Sequence, residues 1–356
     1  MLAWIAFTVW YTTGPGHDGN WFEGWNRWDG FWYGQIWREG YGNDPHTLVF
    51  MPAFPWLAGA VSTATTLSFS AACTGLNLVS YFIGGVLAAE FLSRRFAVSA
   101  PLVFGAHLAA PAAFYAFMPY SDALFYAVFW LAITIGDRSP ETLTRAQRRV
   151  AWLVLFLLPT VRLTGFALGA WVLFRRWYAL AVLATLALVL ATNSLKAHDA
   201  FFFLSGQEDF QMPSGWFVHG LVYHWRELFK FPREPAIQQV FWLETTALPL
   251  LSLAFAVFAA FWLSRRRELL LALTIVSIAV FSRNQSFWRS VGRYDLPLTL
   301  LILLPWLSWS CATKATRARY FVQALGVIVV SCFVIAGLFI QWSLGRGLHA
   351  VGQWAF

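Results

Sequence analysis

The feature that most limits this chain is a succession of apolar stretches separated by short basic runs, with apolar residues filling 72–93, 98–117, 121–136, 177–194, 237–263, 269–282, 295–311 and 320–341. A bilayer's hydrocarbon core is about 30 Å thick and is crossed by roughly 20 residues of α-helix. Stretches of this length, in this number, call for a membrane. They are rich in Leu, Ala, Val and Phe and lack the short alternating segments of barrel strands, so helices are predicted. Only 12% of the chain is charged, about half of the ~25% of an average soluble domain. That excludes a disordered chain, a coiled coil and an ordinary soluble enzyme. The predicted fold class is an all-α polytopic membrane protein, one domain over residues 1–356 with about 9–11 transmembrane helices. Met1–Tyr11 is apolar but half a span long, without the basic start or cleavage site of a signal peptide. It is expected to belong to a first helix with a short beginning.

Charge gives the expected orientation. The basic runs are Arg94-Arg95, Arg138 with Arg145, Arg148 and Arg149, Arg175-Arg176, Arg265-Arg266-Arg267, and Lys314 with Arg317 and Arg319. Lying between apolar segments, they read as cytoplasmic anchors and not as a nucleic-acid surface. Residues 150–174 have basic pairs at both ends, which predicts two short helices bent near Pro159–Gly165, with Arg162 at the apex. Residues 47–69 would put Arg94-Arg95 outside if they crossed, so a juxtamembrane or re-entrant helix introduced by Pro52 and Pro55 is expected. The inner side then holds 14 Lys and Arg against 4 acids, and the outer side 11 against 13. The acidic, aromatic-rich segments therefore share the outer face: the loop 14–46 (within a first extracytoplasmic loop 14–70 with juxtamembrane helices), the turn Met118–Asp122, a second large loop 195–236, and the connection 283–294.

Ionisable residues near membrane depth cost roughly 2.5–3.5 kcal/mol each on insertion scales and usually mark sites. Trp21, Trp25, Trp28, Trp32 and Ile36 form a helical stripe, read as an interfacial helix with its aromatic side on the bilayer. Beside it, Asp29 and Tyr33 stand one turn apart, next to a smooth patch of Gly30 and Gly34. Asp29 is either a solvated cap or, partly desolvated between Trp28 and Phe31, a general base. Asp122 is either an ordinary helix N-terminal residue or a second carboxylate in the same cavity. Arg162, in an apolar hairpin, needs an anion: Asp29, Asp122 or a ligand phosphate. Arg283, Arg289 and Arg293, with Tyr294, oppose the positive-inside trend. They fit either a lipid-borne phosphate, which arginine forks match, or salt bridges to Glu244 or Asp295. The outer histidines (His17, His46, His198, His219, His224) and Cys73, Cys311 and Cys332 have no metal or disulfide spacing. No cofactor is assigned; a divalent cation held by Asp29 and Asp122 stays open. There is no phosphate-binding glycine loop, nucleophile elbow or metalloprotease helix.

The runs Arg27-Trp28-Asp29-Gly30-Phe31-Trp32-Tyr33, Phe50-Met51-Pro52-Ala53-Phe54-Pro55, Pro119-Tyr120-Ser121-Asp122-Ala123-Leu124-Phe125, Arg162-Leu163-Thr164-Gly165 and Gly292-Arg293-Tyr294 occur in that order. Together they resemble the GPI mannosyltransferase II (PIG-V-like) family of the GT-C glycosyltransferases. Departures from the family pattern are Asp122 for Glu, Leu163-Thr164 for Ser-Asn, and Met51 in the proline block. The resemblance implies a GT-C-like bundle and an extracytoplasmic (or ER luminal) transferase. It would move a hexose, mannose by family, from a polyprenyl-phosphate donor to a lipid-linked or glycan acceptor, with inversion. It implies Asp29 as the base and Arg27, Tyr33, Tyr120, Asp122, Arg162, Arg289, Arg293 and Tyr294 as substrate-binding residues, with membrane lipid and an optional partner subunit as partners and no nucleic acid. Two alternatives come from other classes: a lipid-linked-sugar transporter or flippase, for which the sequence lacks an internal repeat, and a non-catalytic lipid-sugar binding protein.

Overall fold

The computed structural model describes residues 29–42, 44–110, 118–137, 142–168, 179–206, 217–230, 246–283 and 296–312. These residues are mostly helical, and among them there is no strand. Met1–Tyr11, Trp21 to Trp28 and the stretch 320–341 lie outside them. The chain divides into two compact units, Met1–Leu87 with Phe114–Gln211 and Ala88–Ala113 with Met212–Phe356.

In the first unit, α1 (Asp29–Glu39) opens with an acid and carries Arg38 in its last turn, charges that complement the helix dipole. It stops at Gly40, whose φ of 74° lets its N–H return to the Ile36 carbonyl at 2.9 Å, a left-handed cap that glycine adopts without steric cost. A 3-10 turn, Pro45–Val49, is capped by the Asp44 side chain and leads into α2 (Ala53–Thr65). At 13 residues, α2 is about 20 Å long. Thr66 turns the chain with a φ of 59°, and α3 (Phe69–Phe96) follows, with 28 residues ending in Arg94-Arg95.

α5 (Asp122–Gly136) is buried almost all round, with Phe125, Tyr126, Phe129, Trp130 and Ile133 inside. It lies against α3 at Gly84, where any Cβ would overlap the Tyr126 ring. α6 (Arg145–Val161) starts in a Thr144–Gln147 capping box, each side chain satisfying the other's backbone N–H. Its Ala151, Val154 and Leu155 pack with Ala132 of α5 and with Ala181, which belongs to α7 (Ala179–Ala197). A single helical turn, Phe202–Ser205, follows.

The second unit holds α4 (Ala100–Ala109), α8 (Phe217–Leu228), α9 (Leu248–Arg265), α10 (Leu269–Ser282) and α11 (Thr299–Ala312). The stretch expected to run helical over 98–117 stops at Ala109, two residues before Pro111, because the position before a proline is driven out of the helical region. The loop expected over 195–236 contains α8. The turn between α9 and α10 presents Glu268, which accepts from Arg95 Nε at 2.9 Å and Nη2 at 3.0 Å. This bidentate pair brings together the arginine-bearing ends of α3 and α9. Arg266 covers the Trp262 ring at 4.1 Å, a cation–π contact. Two described helices, α3 and α7, are long and apolar enough to cross a membrane, and α5, α9, α10 and α11 carry shorter apolar spans.

Candidate functional site

The site forms where α1, α3, α5 and α6 converge. Tyr33, Ile36, Phe54, Ala58 and Cys73 make one buried cluster, with Leu124 packed on it. α1 is seated by close approach. Trp37 lies over Gly59 of α2, where a Cβ would overlap the indole, and Phe69 comes within 3.7 Å of where a Gly34 Cβ would stand. The smooth glycine patch therefore receives the start of α3. The stripe member Ile36 is wholly buried, so this part of the tryptophan stripe faces protein and not bilayer. Trp32 stacks on Phe50, ring centroids 6.1 Å apart.

Tyr33 reaches across this cluster and donates to Ser121 Oγ at 3.0 Å. Ser121 precedes α5 but makes no capping bond with its side chain; its hydroxyl serves the tyrosine instead. The next residue, Asp122, is buried and accepts from Arg162 Nη1. Of the three anions open to Arg162, the fold supplies Asp122. Asp122 also stands in the first turn of α5, where the helix dipole favours a negative charge. Arg162 ends α6 in extended backbone (φ −150°, ψ 144°). The chain then doubles back: the Gly165 N–H donates to the Arg162 carbonyl at 2.9 Å. A Cβ on Gly165 would come within 2.7 Å of the Leu158 carbonyl, so this hairpin requires glycine.

A residue that the sequence did not single out holds the turn. Asn77 of α3 is wholly buried, and its amide donates to the carbonyls of Met118 at 2.5 Å and Tyr120 at 2.8 Å. The available signal was an amide in an apolar span, which rarely occurs without a polar partner. The Tyr120 side chain is itself buried.

Asp29 begins α1 one turn before Tyr33 and is partly exposed. Side chains at this spacing lie on one face, about 5–6 Å apart at Cβ, so Asp29 sits at the open edge of a set whose other members are enclosed. Tyr41, in the turn after α1, donates to the Phe50 carbonyl at 2.8 Å. Burial, reinforced by Tyr33 nearby, pushes its hydroxyl well above the usual phenol range, so Tyr41 remains a neutral donor.

Arg27, Arg289, Arg293 and Tyr294 lie outside the described residues, and with them the expected meeting of Asp29 with the late Arg-Tyr pair. Arg283 is described and fully buried. Its Nη1 donates to the Ala279 carbonyl (3.2 Å) and Ser282 Oγ (3.1 Å), and its Nη2 to the Pro249 carbonyl (3.1 Å) and Ser252 Oγ (3.2 Å). Those bonds tie α9 to α10. Among the described residues, no three His, Cys, Asp or Glu side chains gather as a metal group. A divalent cation on Asp122 would compete with Arg162 for the carboxylate. The chain matches no protein-family model, no curated protein and no solved structure.

Proposed function

We propose that this chain is a multi-pass membrane glycosyltransferase that moves a hexose, mannose by its motif resemblance, from a polyprenyl-phosphate carrier to a lipid-linked or glycan hydroxyl on the extracytoplasmic side. One observation carries the reading. Three motif segments far apart in sequence, at Asp29–Tyr33, Ser121–Asp122 and Arg162–Gly165, are joined by the Tyr33–Ser121 and Asp122–Arg162 bonds. The carboxylate of the first segment is left partly exposed.

In this reading the acceptor oxygen attacks the anomeric carbon from the face opposite the carrier, which inverts the centre. Asp29 takes the hydroxyl proton as the new C–O bond forms. The bond from the anomeric carbon to the phosphate oxygen breaks, and its electron pair leaves with the phosphate. The motif resemblance assigns that phosphate to Arg289, Arg293 and Tyr294, residue types that bind it by charge-assisted hydrogen bonds. Asp122, already engaged by Arg162, does not act as a base; it fixes the floor on which α1 rests.

The test is transfer of labelled mannose from a synthetic polyprenyl-phosphate-mannose to a membrane lipid extract by the purified protein. Asp29→Asn should reduce product at least 100-fold while thermal stability stays near that of the parent. Full activity in that variant ends the base assignment, and no lipid- or glycan-linked product from the parent ends the reading.

A further inference from the structure

We propose that α8 (Phe217–Leu228) lies in the membrane interface, with Val218, Val222, Trp225 and Phe229 inserted at the boundary between headgroups and acyl chains. The proposal rests on the membrane reading above but concerns a surface outside the candidate site.

The sequence of α8 divides into three faces. Gly220 and His224 are buried and turn inward. Val218, Val222, Trp225 and, just past the helix end, Phe229 follow a 4-3-4 spacing, which the 3.6-residue repeat confines to an arc of roughly 60°. Each of these four is between 43% and 72% exposed. Between the stripe and the inner face lie exposed His219, Arg226 and Lys230, the last bonded to Glu227 at 2.6 Å. An apolar face beside a cationic flank, with Trp and Phe in the stripe, matches a lipid interface: the rings meet acyl chains and the cations meet phosphates.

Position favours this occupant over a soluble partner. His224 Nδ1 lies 3.3 Å from Thr246 Oγ1, two residues before α9 begins, so α8 is held at the end of α9 opposite Arg265-Arg266-Arg267. α9 has 18 residues and is therefore about 27 Å long, close to the hydrocarbon thickness. It turns Leu251, Phe255, Val257, Phe258 and Phe261 outward. With α9 crossing the bilayer and its arginines at one boundary, Thr246 falls at the other. Both helices then expose apolar side chains, the α8 stripe near that boundary and the α9 side chains along the span.

Site-directed spin labelling of the full chain tests this. Cys73, Cys311 and Cys332 are replaced by Ala. Single cysteines are introduced as Val218→Cys, Val222→Cys, Phe229→Cys, His219→Cys and Arg226→Cys, with Phe258→Cys on α9. The proteins are reconstituted in vesicles of phosphatidylcholine and phosphatidylglycerol. Accessibility to oxygen relative to a water-soluble nickel chelate is then measured. The expected ratio is at least fivefold higher at 218, 222 and 229 than at 219 and 226, and higher still at 258. A lipid-like value at 258 with water-like values along the stripe overturns the α8 proposal alone. A water-like value at 258 as well overturns the membrane reading beneath it. Stripe labels shielded from both reagents would mean that protein covers the face, which also overturns the proposal.

Discussion

The Asp122–Arg162 pair makes the sharpest test of how the site is built. Its side chains are 2% and 9% exposed, so solvent screens them little. At an effective dielectric of about 20, opposite charges roughly 4 Å apart attract by about 4 kcal/mol. Removing one partner strands the other in a low-dielectric interior, at a cost of about 3–5 kcal/mol. Removing both charges together relieves much of that. Asp122→Asn and Arg162→Gln should therefore each destabilise strongly, while the double variant should cost clearly less than their sum. The expected coupling exceeds the cost of either single variant, at about 4–6 kcal/mol, within the range of close buried charge pairs.

The assay is thermal unfolding of the purified protein in nanodiscs, followed by tryptophan fluorescence, with stability taken from the four members of the cycle. The midpoints should order as parent, double variant, then either single variant. The same cycle in transfer activity reads the site: if the pair sets the floor under α1, the double variant recovers activity together with stability. Strictly additive costs, or a single variant as stable as the parent, would refute the pairing and the reasoning from burial.

Three further outcomes can be checked on the same material. Asn77→Leu removes both donors to Met118 and Tyr120 and leaves buried carbonyls behind, at about 1–3 kcal/mol for each group lost; unfolding midpoints should fall, and product formation should fall with them. Gly165→Ala would push a methyl into the Leu158 carbonyl, so the hairpin must open; loss of midpoint there, with none on Gly105→Ala, where open space surrounds the position, separates overlap from mere loss of glycine. Burial lowers His224 from 6.5 to about 4, partly opposed by Glu227. Its neutral form therefore contributes stability that is full above pH 6.5 and is lost as pH falls toward 4, at no more than the one-proton slope of about 1.4 kcal/mol per pH unit; His224→Gln should flatten midpoint against pH over that window.

Much of the helical frame was legible because an apolar run closed by charge leaves little freedom. The span expected at 269–282 is α10 residue for residue, and 121–136 differs from α5 by one position. The bend at Arg162 was readable too, since Pro159 weakens the last turn of α6 and Gly165 permits the chain to fold back on it. α8 was not. Its apolar, basic and small residues alternate along the chain and sort into faces only around a helix, so composition alone read the segment as loop. Asn77 escaped notice for a different reason: a single amide among apolar residues announces that it needs a partner without naming one, and its partners are backbone carbonyls 41 and 43 positions away. Carbonyl groups carry no sequence signature.

The described end of the tryptophan stripe, Trp32 and Ile36 in α1, and the apolar stripe of α8 differ in burial, and the difference lies in what faces them. Opposite Ile36 and Trp37, α2 presents Ala58 and Gly59, and the indole of Trp37 rests where a Cβ would otherwise stand. Small residues let two helices close to a separation at which large side chains interlock, so the α1 stripe finds protein. α8 meets its own unit through Gly220 and His224, and its small residue lies on the inner face. That seats the helix while leaving Val218, Val222, Trp225 and Phe229 outward. A periodic stripe therefore tells which residues act together; the position of small residues, on the partner or on the opposite face, decides whether they end against protein or stay outward.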